Sequence, residues 1–161
     1  MIIPSLLWVF FPIAITLHNL EEALWLPQWS HHAKRFHKPV QPNEFFFAVI
    51  LVTLLAYLST FVAIAAPSFW LGRQFFFGFL GAMILNAFMP HLAATILLRR
   101  YAPGLITGLA LLVPINLTII IQAMTAGELS WWGFVISTIV VAGLLLSLLP
   151  AFFRLGKLLI K

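Results

Sequence analysis

Five long apolar runs, separated by short polar segments, make up most of the chain. Each run has about 20 residues or more, the length that an α-helix needs to cross a bilayer. Pro27, Pro67 and Pro103 stand where runs end or turns begin, as expected of a residue that stops helices. The pattern predicts helices over residues about 3–26, 44–66, 69–98, 104–124 and 129–153.

The composition places these helices in lipid. Of the 161 residues, 63% are hydrophobic and 8% are charged, and the mean hydropathy is +1.08. A soluble domain of this size could not keep so much apolar surface from water. We therefore expect one all-α domain over residues 1–161, a polytopic transmembrane bundle of five helices in contact with the lipid bilayer. The chain has no cysteine, so any metal would need His, Glu or water as ligands.

The basic residues indicate the orientation of the bundle. With five spans, eight of the nine Lys and Arg residues fall on one side, and Arg73 falls on the other. The eight are Lys34, Arg35, Lys38, Arg99, Arg100, Arg154, Lys157 and Lys161. Cytoplasmic loops are enriched in Lys and Arg, so this pattern predicts an outside N-terminus and a cytoplasmic C-terminus. The bases do not form one face, so the net charge of +5 does not indicate a nucleic-acid partner.

A polar string, His18 to Glu22, lies inside the first apolar run. Each of its polar groups costs free energy in a membrane unless it is paired or hydrated. At 100° per residue, Glu21 and Glu22 project about 60° and about 40° to either side of His18, so the three side chains point into one arc. Because intramembrane ionisable residues indicate function by default, the string predicts a site here.

A second polar segment, Asn86 to His91, lies in the third run, and Thr95 follows one turn later on the His91 face. Pro90 cannot donate a hydrogen bond to the carbonyl of Asn86, and its ring crowds that turn. We therefore expect a kink beside His91 and an unpaired backbone acceptor there.

The depths of the polar residues predict two layers. His18 and His91 lie nine and eight residues from the cytoplasmic ends of their runs, about 12 to 13 Å of helical rise. The two histidines are therefore expected to be level. Tyr57, Asn86 and Asn116 lie about 13 residues from the same side, near 20 Å. We expect them to form a second polar layer, although amides also serve as hydrogen-bonding links between membrane helices.

Two chemistries fit these side chains. In the first, His18, Glu22 and His91 bind a divalent metal, zinc first and iron or manganese next, with a position open for water or substrate. Glu21 then orients a ligand or acts as general base, and the roles of the two glutamates can be exchanged. In the second, repulsion in a low dielectric keeps one glutamate neutral, so that it donates a proton and a histidine is the base. In both, Glu21 and Glu22 are the candidate catalytic residues.

Structural interpretations remain open for several of these residues. Glu21 and Glu22 could pair with Arg99 and Arg100 as a helix-packing clamp, although this leaves the histidines unexplained. The loop after the first run has three histidines without the fixed spacing of a metal motif, so we interpret it as a basic interfacial loop. These histidines are His31, His32 and His37. The tryptophans interpreted as interface anchors are Trp25, Trp29, Trp70, Trp131 and Trp132.

The string His18 to Glu22, placed in a first transmembrane helix, resembles the motif of the HXXEE family of small bacterial membrane proteins. The segment Asn86 to His91 and the string Tyr101 to Gly104 look like later motifs of that family. The resemblance extends from the first helix to the start of the fourth. It implies a bacterial inner (plasma) membrane location and brings no settled activity with it. The motif positions it implies are His18, Glu21, Glu22, Asn86 and His91.

We expect a small membrane-embedded enzyme whose His/Glu site acts on a lipid or isoprenoid-like small molecule. The alternative is a non-catalytic binding or structural subunit whose His/Glu cluster binds a ligand or locks helix packing. A proton-coupled channel ranks last, because the outer helix halves carry few polar side chains. Gly78 and Gly81 let membrane helices approach closely, and such small residues also leave a homo-oligomer open.

Overall fold

A computed structural model describes residues 4–34 and 38–160. Within these residues the chain forms five helices and no strand. A short helical segment, Pro4–Trp8, precedes the first helix, and a 3-10 turn, Ser30–Ala33, follows it. The five helices are α1, Phe10–Trp29; α2, Pro42–Ala65; α3, Trp70–Leu98; α4, Leu105–Thr125; and α5, Trp131–Leu159.

The predicted all-α bundle is confirmed, and four of its helices, α2 to α5, are long and apolar enough to cross a membrane. These four helices identify a membrane protein. The first helix is not among them, because the polar string that starts at His18 interrupts its apolar sequence. That α1 crosses the membrane, and which side each terminus faces, stay predictions.

Two helices extend beyond their predicted ends. The first helix continues through Pro27 to Trp29, and α5 runs past residue 153 to Leu159. Proline removes one backbone donor, and neighbouring groups can compensate for that loss in a membrane helix. At the end of this helix, Ser30 Oγ donates a hydrogen bond of 2.7 Å to the carbonyl of Pro27, one of the last four carbonyls of α1.

Close contact between α3 and α5 depends on two glycines. The fifth helix packs along α3 and α2. A Cβ atom at Gly78 would overlap the backbone of Ser137, and one at Gly81 would overlap the side chain of Thr138. The close helix approach predicted for these glycines is therefore confirmed.

A cluster of buried aromatic rings joins α3 to α1 and to the segment before it. Phe76 lies 5.0 Å from Trp8 and 5.9 Å from Phe11, measured between ring centroids. Phe79 lies 5.4 Å from Phe11, and Phe77 lies 5.5 Å from Trp8. Pairs at these distances add to the packing energy of the buried rings.

An ion pair ties the loop between α4 and α5 to the start of α3. Arg73 Nη2 lies 2.6 Å from Glu128 Oε2, and the Arg73 guanidinium lies 5.8 Å from the centroid of the Trp8 ring. This ion pair lies next to the aromatic cluster and gives Glu128 a structural role.

Two wide turns interrupt α3 and α4 beside each other. In α3 the helix is broken within Ala87–Leu92 by the non-helical Met89 and a cis Met89–Pro90 peptide bond. In α4 the residues Gly108–Leu112 form a π-helical turn that contacts this break. The kink predicted at Pro90 is confirmed. The break in α3 at Met89 leaves Asn86 Nδ2 3.1 Å from His91 Nε2.

Candidate functional site

Three ionisable side chains from α1 and α3 converge; we call them the His/Glu centre (His18, Glu22 and His91). Glu22 Oε1 lies 2.8 Å from His91 Nε2 and 3.7 Å from His18 Nε2. The two imidazole rings meet edge to face, with centroids 5.1 Å apart. Both histidines are buried, and the Glu22 side chain is 14% exposed. One ligand atom from each residue lies within 4.8 Å of the others, so together they could hold one metal ion.

Asn86 bridges the two histidines. Its Nδ2 lies 3.2 Å from His18 Nε2 and 3.1 Å from His91 Nε2. Both Nε2 atoms also face Glu22 Oε1, so the two ring nitrogens and the carboxylate oxygen point into the interior of the His/Glu centre. A metal bound through Nε2 would take the place of the contacts with Asn86 Nδ2, because each Nε2 has one lone pair.

Glu21, although adjacent to Glu22 in sequence, binds α4 and the turn before it. Its Oε2 accepts hydrogen bonds from Thr107 Oγ1 at 2.5 Å and from Thr107 N at 3.2 Å, and the Tyr101 hydroxyl donates to its Oε1. Because the Thr107 hydroxyl donates its proton to Glu21, it accepts from His18 Nδ1, which lies 3.2 Å away. Glu21 thus holds His18, through Thr107, in the tautomer that leaves Nε2 unprotonated.

The turn between α3 and α4 packs directly against both histidine rings. Gly104 has a φ of +93°, in the left-handed region that favours glycine. A Cβ atom there would lie 2.7 Å from His91 Cε1 and 3.0 Å from His18 Cε1. Thr95 Oγ1 accepts a hydrogen bond of 3.0 Å from Ala102 N, which fixes the start of the turn. Only a glycine fits at position 104 without moving the histidines.

Tyr101 lies in the same turn, outside the membrane-crossing helices. Its hydroxyl donates to Glu21 and accepts a hydrogen bond of 3.3 Å from Ile106 N. Partial burial, and next the hydrogen bond to Glu21, raise the pKa of Tyr101 to about 12. The hydroxyl therefore stays protonated at neutral pH and continues to donate to the Glu21 carboxylate.

The predicted second polar layer does not form. Asn86 bonds to the histidines, whereas Asn116 Nδ2 donates to the carbonyl of Leu80 at 3.0 Å. Tyr57 is 46% exposed, and its hydroxyl lies 3.4 Å from Thr16 Oγ1. Depth was counted with the regular rise of an α-helix, and the wide turn after Asn86 breaks that regularity. The structure therefore brings one of the three residues to the His/Glu centre and leaves two elsewhere.

Thr95 and the two arginines also differ from their sequence interpretation. Thr95, predicted beside His91, supports the turn through Ala102. Within the described ranges, neither Glu21 nor Glu22 forms an ion pair with an arginine. The kinked end of α3 turns Arg100 toward the loop after α1, where its Nη1 lies 2.8 Å from His32 Nε2.

The two loop histidines that the structure describes, His31 and His32, do not join the His/Glu centre. His31 and His32 lie in the 3-10 turn after α1, and His32 Nδ1 lies 3.1 Å from the carbonyl oxygen of Trp29. Arg35, His37 and Lys161, which entered the charge and loop predictions, lie outside the described residues. Four of the predicted anchor tryptophans are largely exposed: Trp25, Trp70, Trp131 and Trp132.

Sequence reasoning missed Thr107 and Gly104 as site residues. A threonine in an apolar run gives a weak signal, because its hydroxyl can bond within its own helix. Gly104 entered the sequence analysis as the end of the Tyr101 to Gly104 string, and no spacing rule joins that string to His18. Both residues reach His18 only because the turn between α3 and α4 packs against α1.

An apolar pocket of about 420 Å³ adjoins the His/Glu centre. Its polar side chains include Asn19, Glu22 and Asn86, and apolar residues of α2, α3 and α5 supply most of the remaining wall. Asn19 Nδ2 is already bonded to Thr53 Oγ1 at 2.8 Å. Glu22 and Asn86 thus connect the centre to a space lined mainly by hydrocarbon.

Comparisons with known proteins agree with the motif. A family described as "Protein of unknown function with HXXEE motif" matches residues 8–119, which contain the His/Glu centre, Glu21, Asn86 and Thr107. A Bacillus subtilis (strain 168) protein named "Uncharacterized protein YrkK" is 50% identical over 147 residues, 91% of this chain and 93% of that protein. No solved structure matches the chain.

Proposed function

The chain belongs to the HXXEE family, and from the geometry of the motif we propose that it is a small membrane-embedded enzyme with a divalent-metal site. His18, Glu22 and His91 are the ligands in this proposal. Zinc is the first candidate, and iron or manganese come next. The observation that carries the proposal is the approach of three ligand atoms to within 4.8 Å of one another in a largely buried place.

The chemistry of the donors supports a metal. Two imidazoles and one carboxylate are a common catalytic zinc set, which leaves a fourth position for water or substrate. A dication would also offset the negative charge of Glu22 next to lipid. When bound, such a metal supplies a Lewis acid and an activated water.

We assign Glu21 to orienting His18. Metal-bound histidines commonly donate their second N–H to a carboxylate or another acceptor that fixes the ring. Here the acceptor is the Thr107 hydroxyl, which in turn donates to Glu21. The hydrogen bonds from Thr107 and Tyr101 engage both Glu21 oxygens, so they favour this role over that of a general base.

The pocket beside Glu22 and Asn86 supports a lipid or isoprenoid-like substrate. Its wall is mostly hydrocarbon, and its volume of about 420 Å³ lies in the range of small-molecule sites. In this proposal a substrate places its apolar chain among α2, α3 and α5 and its reacting group at the His/Glu centre.

We also propose a bacterial inner-membrane location with an outside N-terminus and a cytoplasmic C-terminus. The asymmetry of Lys and Arg supports it. Because the chain lacks cysteine, single cysteines at exposed positions can report it. An impermeant maleimide should label Ala126→Cys in intact cells and Lys157→Cys only after permeabilisation. The reverse pattern would overturn this orientation.

Lipid mass spectrometry tests the enzymatic proposal. Zinc-loaded protein is reconstituted in a total lipid extract of a bacterial inner membrane and incubated, and the lipid species are compared over time. We expect wild type to convert at least one species, and the Glu22→Gln variant in the same vesicles to convert none. Identical lipid profiles for wild type and variant would contradict an enzyme acting on these lipids.

A non-catalytic subunit is the second candidate. The observation that favours it is the dense hydrogen bonding of Glu21 and Asn86, which links three helices. Melting temperatures with and without added zinc discriminate the two candidates. A metal site predicts that zinc raises the melting temperature of wild type and not that of His91→Ala, whereas a packing clamp predicts the same melting temperature of wild type with and without zinc.

A further inference from the structure

We propose that a groove between α1 and the segment Tyr101–Leu111 binds one anionic phospholipid from the leaflet on the Arg100 side. The groove has a volume of about 790 Å³ and is distinct from the pocket at Glu22. It goes beyond the proposed enzymatic site, because none of the three residues of the His/Glu centre lines it.

The long wall of the groove suits an acyl chain. Leu17, Leu20 and Leu24 line it from α1 at steps of three and four residues, which place them on one helix face. Ile106 and Leu111 line it from α4. All but Leu111 are more than 40% exposed, so this strip is open to lipid.

Polar groups stand at the His32 end of the groove. His32 and Gln28 line it, and the Arg100 guanidinium lies 2.8 Å from His32 Nε2. Arginine presents five N–H donors in a planar fork that fits phosphate, and basic pockets beside membrane helices bind anionic head groups. The charge at this end is complementary to a phosphodiester.

Trp29 lines the groove at the same end as Gln28 and His32. Tryptophan also favours the head-group level of a membrane.

Glu21 lies eight residues before Trp29 on α1, about 12 Å of helical rise from the head-group end of this groove. It is the one carboxylate of the lining, and both of its oxygens already accept hydrogen bonds from Tyr101 and Thr107. In this proposal the head group lies at Arg100 and Trp29. The acyl chain then lies over Glu21 and its partners Tyr101 and Thr107.

Thermal unfolding of the full chain in neutral detergent tests this site. Dioctanoyl phosphatidylglycerol is titrated against dioctanoyl phosphatidylcholine, which has the same chains and no net charge. A ligand that binds the folded state raises the melting temperature as its concentration rises. We expect a rise with phosphatidylglycerol of several degrees and little rise with phosphatidylcholine.

Matched variants locate the effect. Arg100→Gln and Trp29→Phe should lose most of the rise, whereas Arg154→Gln and Trp131→Phe, whose residues do not line the groove, should keep it. Arg100 is exposed, so its variant should fold even if Trp29→Phe does not. An equal rise with phosphatidylcholine or inorganic phosphate, or a full rise in Arg100→Gln, would overturn the proposal. Both groove variants should retain bound metal, which separates this result from a failure of the enzymatic proposal.

Discussion

Aromatic rings join α1 to α3 in one part of the bundle, and ionisable and amide side chains join the same two helices in another. We call these the aromatic region (Trp8, Phe11, Phe76, Phe77 and Phe79) and the polar region (His18, Glu21, Glu22, Asn86 and His91). The aromatic region is carried by the regular part of α3, Trp70–Asn86, whereas the polar region lies around the wide turn that follows it.

The backbone of α3 is regular in the aromatic region and irregular in the polar region, and the side chains of each region explain why. Buried rings require only complementary packing, so a regular helix can present them at its ordinary spacing. Convergent polar groups need particular atoms at particular distances, and a wide turn supplies a side-chain alignment that a regular helix does not. We therefore expect the aromatic region to determine stability and the polar region to determine binding.

The largest expected effect is the loss of stability on changing Phe76→Ala. Phe76 is fully buried and contacts Trp8, Phe11 and Phe77. Removing such a ring leaves a cavity and lowers the free energy of unfolding by about 3–5 kcal/mol. Denaturant unfolding measures it, with the exposed Phe46→Ala as control. The folded fraction of Phe76→Ala should still bind metal. A Phe76→Ala variant as stable as wild type would contradict the claim that the aromatic region determines stability.

Gly104→Ala should have the next largest effect, on metal affinity. The added Cβ would meet the Cε1 atoms of His91 and His18, at a φ that disfavours alanine. Displacing both ligands should weaken zinc binding by about 100-fold, at the upper end of effects from residues that support ligands. Competition with a chromophoric chelator measures this. Gly143→Ala is the control, because nothing lies within 4 Å of its added atom, and equal zinc affinity in both variants would contradict the role of the turn.

Thr107→Val should weaken zinc binding by about 10-fold, because His18 Nδ1 loses its acceptor. Thr107→Ser keeps the hydroxyl and should restore affinity close to that of wild type, which a purely space-filling role of the side chain would not do. Thr118→Val is the matched control, since the Thr118 hydroxyl bonds within its own helix. If the serine variant binds zinc as weakly as the valine variant, Thr107 does not act through hydrogen bonding.

The smallest expected effect is in the titration of Tyr101. The chain has two tyrosines, so Tyr57→Phe leaves Tyr101 as the reporter of tyrosinate absorbance. Its pKa should be about 12, against the ordinary tyrosine value of 10.0, and Glu21→Gln should lower it because an anionic acceptor is lost. A raised folded-state pKa adds stability that is complete below pH 10 and is lost as pH rises through about 12. A midpoint near 10 in the folded protein would contradict the Tyr101–Glu21 contact.

The sequence predicts the bundle and the His/Glu centre because both depend on regular patterns. Apolar runs of bilayer length give the helices, and depths counted from the helix ends place His18 and His91 at one level. Asn86 shows where this method fails. Counted at a regular rise, it lies above His91, yet the wide turn brings its Nδ2 to 3.1 Å from His91 Nε2.

The remainder of the candidate site depends on a turn that has no periodic pattern. Thr107 and Gly104 reach His18 because the segment between α3 and α4 folds back onto α1. Asn116 and Tyr57 were predicted to share a polar layer because of their similar depth. They do not, because Asn116 bonds to the carbonyl of Leu80 and Tyr57 contacts Thr16. These contacts depend on how each helix is rotated about its axis and on the path of the loops. Neither can be derived by counting residues from the helix ends.

Elemental analysis of the detergent-purified chain, after removal of any affinity tag, tests the metal site most directly. Wild type, His18→Ala and His91→Ala are compared at equal protein concentration, with His31→Ala as a control outside the His/Glu centre. We predict about one zinc, iron or manganese per chain in wild type and in His31→Ala, and none in the other two variants. Wild type without metal, or metal retained in both His18→Ala and His91→Ala, would contradict a metal site formed by His18, Glu22 and His91.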